Sequence, residues 1–270
     1  MKLKLRLLKK LTLIILLFAY GLIITAAIFP ILNLFCSVNY SKVKRNTLKT
    51  HWLKIFSTIM NLSITKVGDL PVETVLLVSN HISWLDIIVL GQLLPAYFVA
   101  KSDILSWPVI GYLSMQAGTI FIRRGDKKQI KLTAEKMVWV LKQNSHIIAF
   151  PEGTTTLGEE VLDFHSSLFQ PAILNRSAVQ PVVLKYEGIA MQQAPFIGDD
   201  EFIPHLIKML SLDKIEVRVC FLPLISCFGR DRHSVSFEAR EMISEGLEKC
   251  LFTENDINQC ELSRKAIKCQ

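Results

Sequence analysis

The sequence predicts an α/β protein: a layered, mixed sheet covered by helices, preceded by an N-terminal membrane-anchoring helix or helical hairpin. Three observations predict it. From about residue 62, short apolar runs alternate with segments of helical length. The runs are near-continuously apolar, which suits strands covered on both faces. Ahead of them, residues 11–35 carry no charge at all.

The elements follow in chain order. "MKLKLRLLKK" carries Lys2, Lys4, Arg6, Lys9 and Lys10, and the uncharged "LTLIILLFAYGLIITAAIFPILNLF" comes next. A membrane span needs about 20 apolar residues, so this stretch is long enough. A cleavable signal has an apolar region of about 7–15 residues and a small-residue cleavage site, which "TAAIFP" matches badly. The stretch therefore reads as an uncleaved anchor. Its second flank is also basic, with Lys42, Lys44, Arg45, Lys49 and Lys54. A single span would carry one basic flank across the membrane, against the positive-inside tendency. A hairpin or re-entrant insertion, bent at Gly21 or Pro30, keeps both flanks and the rest of the chain on the cytoplasmic side. The expected localisation is thus the cell membrane, with the main domain on its cytoplasmic face.

Residues 36–60 read as a basic, partly amphipathic connector, with Trp52, Leu53, Phe56, Ile59 and Met60 at helical spacing. That face suits the lipid interface or packing against the main domain equally. Strands are expected at 74–79, 95–100, 118–123, 145–150 and 178–186, with a later one in "KIEVRVCFLPLI". Between them, "WLDIIVLGQL", "ILSWPVIGYLSM", "KKQIKLTAEKMVWVLKQ" and "SSLFQPAILNR" have helical length, and "SVSFEAREMISEGLEKCLF" is a final helix. The division is an anchor and connector over 1–60, a main domain over 61–255 and a tail over 256–270.

The net charge of +7 suits an anionic partner. The apolar N-terminus makes that partner a membrane surface rather than nucleic acid. Cys36, Cys220, Cys227, Cys250, Cys260 and Cys269 form no C-x-x-C pair, which argues against a disulfide framework and a structural metal.

Polar clusters fall at the ends of the expected strands, where open α/β sheets bind ligands. In "NHISWLD", His81 and Asp86 are five residues apart. At about 100° per residue they would diverge on one regular helix, but they can meet if His81 lies in the turn and Asp86 in the first turns of the next helix. A neutral imidazole there can take a proton from a hydroxyl, and a carboxylate on its other nitrogen fixes the tautomer. Taken alone, the pair also suits a turn-capping histidine and a solvated aspartate. In "GTIFIRRGD", Gly118 opens a strand and Arg123 and Arg124 close it on opposite faces; an arginine fork suits a phosphate, and a surface arginine pair is equally ordinary. In "FPEGTTTLG", Pro151 and Gly153 force a turn at Glu152, with hydroxyls on Thr154, Thr155 and Thr156.

Together these blocks are more specific than any one of them. Asn80-His81 with Asp86, then Gly118 to Arg124, then Phe150-Pro151-Glu152-Gly153-Thr154, then Val179-Gln180-Pro181-Val182, resemble the four ordered blocks of the glycerolipid acyltransferase family of the lysophosphatidate acyltransferase type, over roughly residues 60–190. The resemblance implies that His81 is a general base and Asp86 its orienting partner. It implies that Gly118, Arg124, Glu152, Gly153 and Thr154 bind the acceptor, with Lys101 ahead of the second block and Pro181 in the fourth. It implies a lysolipid acceptor, lysophosphatidate first, an acyl-CoA or acyl carrier protein thioester as co-substrate, and no metal or other cofactor. Donors near "FPEGT" or on Asn80 would stabilise charge on the carbonyl oxygen.

Two departures stand out. Thr155 and His165 occupy positions where the family often has cations. "FPEGTT", "FHSSLF", "VQPVVLKY" and "GDDEFIPHL" also look like the lyso-ornithine-lipid acyltransferase branch, whose acceptor has no phosphate. A lipid hydrolase would need a serine elbow, and no G-x-S-x-G is present. A non-catalytic lipid-binding protein would leave the His81/Asp86 pair without a reason.

Overall fold

The computed structural model describes residues 2–123 and 127–249. The chain begins with helix α1 (Lys2–Ile23), a π-helical turn (Ile24–Ile28), α2 (Phe29–Phe35) and α3 (Val38–Met60). Strands β1 (Leu62–Val67) and β2 (Val75–Ser79) lead to α4 (Leu85–Leu93), β3 (Ala96–Lys101), α5 (Ile110–Gln116) and β4 (Ile120–Ile122). Then come α6 (Lys127–Lys142), β5 (His146–Ala149), α7 (Gln170–Asn175), β6 (Ala178–Glu187), α8 (Ile189–Gln193), α9 (Phe202–Ser211), β7 (Ile215–Phe221) and α10 (Arg232–Lys249).

The seven strands form one sheet in the order β1-β7-β6-β2-β5-β3-β4. Every pairing is parallel except β6 with β7, so the sheet is mixed, as expected. Its middle strand β2 shows why the apolar runs do not alternate. Val75 and Leu77 pack with α1, α3, α4 and α9 on one face, while Leu76 and Val78 pack with α6, α7 and α10 on the other. All four are buried, and each such side chain contributes about 1.5–3 kcal/mol.

The edge strand β1 was not expected from the sequence. "LSITKV" is half exposed and pairs on one side only, with β7, so it lacks the dense apolar signal of the inner strands. The fourth block shows a different local rule. Pro181 sits inside the buried strand β6 and cannot donate to the ladder. Leu222 N–H donates to Pro181 O at 3.0 Å, and the Leu222 carbonyl, which Pro181 cannot serve, takes Gln180 Nε2 at 3.2 Å.

The N-terminal region forms a helical hairpin, but the bend is at neither Gly21 nor Pro30. The helix runs through both, and the extended pair Cys36 and Ser37 reverses the chain. Gly21 instead allows a close crossing, since a Cβ there would lie 2.9 Å from Trp52 Nε1. Pro30 lies in the first turn after the π-helical segment, where its missing N–H is tolerated. Ser37 then caps α3 by accepting from Tyr40 N–H.

Both arms of the hairpin lie against the domain. Ile14, Leu17, Leu53, Phe56 and Met60 share one core with β2 and β6. This also decides between the two expected partners of the Trp52–Met60 face in favour of the domain. At the basic end, Arg6 Nη2 donates to Ser211 O at 2.8 Å and Lys10 Nζ to Leu212 O at 3.0 Å, serving the last carbonyls of α9. On α3, Arg45 donates to Gln116 O at 3.1 Å and Lys49 to Ala96 O and Ala117 O at 3.0 and 3.2 Å. The expected tail over 256–270 lies outside the described residues.

Candidate active site

The site forms where β2 ends. Asn80 is fully buried and clasps the Leu184 backbone of β6, donating Nδ2 to Leu184 O and accepting Leu184 N–H at Oδ1, both at 2.8 Å. Its side chain is turned to β6 and does not line the cavity beside His81, so the oxyanion role expected of it finds no support in its position. The clasp fixes the turn that follows, His81 to Ser83, before α4 begins.

Asp86 falls in the first turn of α4, fully buried, where the helix N-terminus favours negative charge. Its Oδ2 accepts from Ile82 N–H at 2.8 Å, Ser83 N–H at 3.0 Å and His81 Nδ1 at 2.8 Å. Its Oδ1 accepts from the Tyr186 hydroxyl at 2.8 Å. A carboxylate on Nδ1 places the proton there and leaves the Nε2 lone pair available. The His81 ring stacks on Phe150, with centroids 3.9 Å apart and planes 12° apart. Its Nε2 has no partner among the described residues, and the ring lines a cavity of about 720 Å³.

The "FPEGT" turn holds the backbone of His81 on both sides. Glu152 Oε1 accepts from His81 N–H at 2.7 Å, its Oε2 accepts from Leu162 N–H at 3.0 Å, and Thr156 N–H donates to His81 O at 2.8 Å. Glu152 is buried. Burial pushes its carboxyl above the usual range, opposed by the two backbone N–H bonds. Both oxygens are thus engaged internally, and Glu152, expected to contact the acceptor, holds the His81 turn and does not line the cavity.

The other expected residues divide. Gly153, Thr154 and Lys101 line the cavity, and Lys101 is exposed at the end of β3 with no partner among the described residues. Gly118 does not line it. With φ at +88°, Gly118 makes a left-handed turn against Tyr97, whose Cε1 would lie 2.6 Å from an added Cβ. Pro181 is buried in the sheet and also stands away from the cavity. Arg124 lies outside the described residues. Thr155 is tied back through its hydroxyl to Phe196 O.

The cavity runs from His81 beneath the hairpin and is walled by apolar side chains, including Phe18, Ile24, Trp52, Phe56 and Trp84. A second lysine lies in its wall beside Lys101: burial, then the neighbouring Arg45, pull Lys49 down to about 8. Trp84 is fixed by donating Nε1 to His205 Nδ1 at 3.0 Å, while His205 Nε2 faces Pro195 O at 3.2 Å. That pattern needs a neutral His205, and burial lowers its pKa, with Lys208 adding to the effect. Sequence reading missed Tyr186, Phe150 as a stacking partner and the Trp84–His205 pair. Each depends on residues far apart in the chain, which no local pattern marks.

Chemically, the arrangement is an imidazole oriented through Nδ1 by a buried carboxylate and opening onto a largely apolar cavity. Residues 62–185 match the family described as Acyltransferase. The chain is 36% identical over 201 residues to the lyso-ornithine lipid O-acyltransferase of Pseudomonas aeruginosa, covering 74% of this chain and 78% of that one. It is 33% identical over 172 residues to the 1-acyl-sn-glycerol-3-phosphate acyltransferase of Neisseria meningitidis serogroup B, covering 63% and 68%. The crystal structure of the 1-acyl-sn-glycerophosphate acyltransferase PlsC from Thermotoga maritima shares the fold, with a TM-score of 0.68 over 92% of this chain and 98% of that one, at 16% identity. The chain belongs to the acyltransferase family.

Proposed function

We propose that the protein transfers a fatty acyl group from an acyl thioester to the free hydroxyl of a lysolipid, with lyso-ornithine lipid as its acceptor. The observation that carries the reaction is His81, oriented through Nδ1 by Asp86 and free at Nε2, at the head of the apolar cavity. His81 Nε2 takes the hydroxyl proton as the hydroxyl oxygen attacks the thioester carbonyl. The tetrahedral intermediate collapses, the C–S bond breaks, and the imidazolium returns the proton to the leaving thiolate. Asp86 stabilises the imidazolium between these steps. Gly153 N–H is given to Phe150 O at 3.0 Å, so the donors for charge on the carbonyl oxygen are the backbone N–H and hydroxyl of Thr154, which lines the cavity. The apolar cavity takes the acyl chain. The donor is a thioester of coenzyme A or of acyl carrier protein.

Charge at the mouth supports the choice of acceptor. Thr155 stands where the family often has a cation, and its hydroxyl tethers Phe196 instead. Phe196 and Phe202 line the cavity, and the exposed Asp199, Asp200 and Glu201 lie between them in sequence. The exposed Lys101 supplies the opposite charge from β3. Asp103 also lines the cavity, and a lining with both signs suits a headgroup bearing an ammonium and a carboxylate. The lyso-ornithine-lipid acyltransferase of Pseudomonas aeruginosa is also the more similar of the two relatives above. Lysophosphatidate is the second reading, favoured by Lys101 and the exposed Arg123. Parallel kinetics with one labelled acyl thioester and the two purified acceptors test this. Turnover of lyso-ornithine lipid well above lysophosphatidate is expected; the reverse order overturns the choice of acceptor, and no transfer to either overturns the reaction.

The membrane is the site of action in this reading. Residues Lys4–Phe35 are long and apolar enough to cross a bilayer. Because both ends of the helix rest on the domain, the hairpin is read as embedded from one side, and its basic flanks favour the cytoplasmic face.

A further inference from the structure

We propose that Tyr186 is a positioning residue for acyl transfer, acting on His81 through Asp86. The inference rests on the reading of His81 as the general base. Tyr186 lies on β6 and contacts neither the cavity nor the histidine directly. Its hydroxyl donates to Asp86 Oδ1 at 2.8 Å, the only bond to that oxygen among the described residues.

The distribution of bonds on Asp86 gives the argument its force. Oδ2 accepts three donors, from His81, Ile82 and Ser83, and Oδ1 accepts only Tyr186. The carboxylate is fully buried, so water does not replace a missing donor. Without the phenol, Oδ1 is an unpaired buried oxygen, and the carboxylate's orientation toward Nδ1 is held from the Oδ2 side alone. Tyr186 is itself pushed well above the usual tyrosine range, first by burial and then by Asp86, so it remains a donor throughout the working pH range.

The position of the phenol is set by the same strand register that sets the turn. Asn80 clasps the backbone of Leu184, two residues before Tyr186. Along a strand, residues two apart share a face, and Leu184 and Tyr186 pack in the same core. The clasp that fixes His81's turn therefore also brings the Tyr186 hydroxyl to Asp86. β6 thus acts on the base from behind, 105 positions along the chain from His81 (186 minus 81).

Tyr186→Phe tests the proposal, because it keeps the ring and removes only the oxygen. The full-length, detergent-extracted protein is assayed with an acyl-coenzyme A thioester and each of the two lysolipids. The expected result is a fall in kcat of about tenfold to a hundredfold, with KM for donor and acceptor within about twofold, as for the loss of one hydrogen bond to a buried charge. In an Asp86→Asn background the same change should cost nothing further, because the residue acts through the carboxylate. The low-field proton resonance of His81 Nδ1–H should also move or broaden in Tyr186→Phe. An unchanged kcat, or an equal fractional loss with and without the Asp86 carboxylate, overturns the positioning role and leaves Tyr186 a packing residue. Near-normal turnover in His81→Ala would instead remove the base on which the inference rests, which separates the two failures.

Discussion

Glu152 Oε1 accepts the backbone N–H of His81 at 2.7 Å, so the third sequence block holds the first in place. Its other oxygen holds Leu162 N–H at 3.0 Å, and the side chain is 5% exposed. A carboxylate is the one side-chain group that accepts on both ends. Glu152→Gln keeps the size but turns an NH₂ toward one of the two donors. One buried N–H is then left unpaired, at a cost of about 1–3 kcal/mol. Urea unfolding should show that loss. Turnover should fall while the Michaelis constant for the acceptor changes little, because Glu152 does not face the cavity. A selective rise in that constant would restore Glu152 as a binding residue.

His81→Ala should abolish acyl transfer while the protein stays folded. The ring is partly exposed, and its Nδ1 bond is not part of the sheet ladder. Loss of a general base costs about 10² to 10⁴ in rate. Initial-rate assays beside a circular dichroism spectrum check it, and near-normal turnover would end the assignment.

Acid should loosen the wall of the cavity. His205 is held neutral by burial, accepting from Trp84 at Nδ1, and burial also lowers the pKa of His146. For both, the unfolded chain binds protons more readily than the folded one. Their contribution to stability is therefore present above the unfolded value of about 6.5 and is lost as the pH falls toward the lowered folded values. The raised carboxyl of Glu152 has the opposite sign, contributing below about 4.3 and fading as the pH rises through its folded value. Melting temperature should thus drop between pH 7.5 and pH 5.5. His205→Asn, which can still accept from Trp84, should flatten that drop; an equally steep profile would place the acid sensitivity elsewhere.

The strands of the inner sheet were legible because burial on both faces leaves solid apolar runs, as in "VLLVS". β1 and α9 were not: β1 is a half-exposed edge, and "FIPHLIKMLS" begins beside a proline and an acidic run that read as loop. In the site, His81 and Asp86 could be paired because the bond spans a single turn. Gly153 and Thr154 could be placed because they share one loop with Glu152. The roles of Glu152, Gly118 and Pro181 could not be read, since a binding residue and a residue that shapes the backbone leave the same letters. Only the partners of their atoms, His81 N–H, the Tyr97 ring and Leu222 N–H, tell the two apart.

The acidic run between the cavity-lining Phe196 and Phe202 should set acceptor preference. Asp199, Asp200 and Glu201 are exposed, so their interactions with a bound headgroup are screened and modest, about 0.2–1 kcal/mol each. Changing all three to their amides should raise the Michaelis constant for lyso-ornithine lipid several-fold and leave that of the acyl donor unchanged. The effect should shrink at high salt. Steady-state kinetics at two ionic strengths decide, and an unchanged constant at low salt would remove the acidic run from the acceptor site.

The hairpin should enter the membrane and leave on the same side. Its first helix spans Lys4–Phe35, which is 32 residues and about 48 Å at 1.5 Å per residue, longer than the roughly 30 Å hydrocarbon core. Yet Arg6 near one end is bonded to the end of α9, and Phe29 near the other lies 4.4 Å beneath the Arg45 guanidinium, itself bonded to Gln116 O. A helix fixed to one domain at both ends lies along that domain and does not pass beyond it. Exposed Leu5, Leu8, Ile15, Leu16, Ile31, Leu34 and Phe35 then form the surface that meets lipid. In a chain whose six native cysteines are changed to serine, single cysteines at Lys4, Lys42 and Arg232 should therefore all react with an impermeant maleimide from the same side of sealed vesicles. Labelling of Lys4→Cys or Lys42→Cys from the side opposite Arg232→Cys would show a spanning helix and break the contacts that tie α1 to α9 and α3 to the sheet.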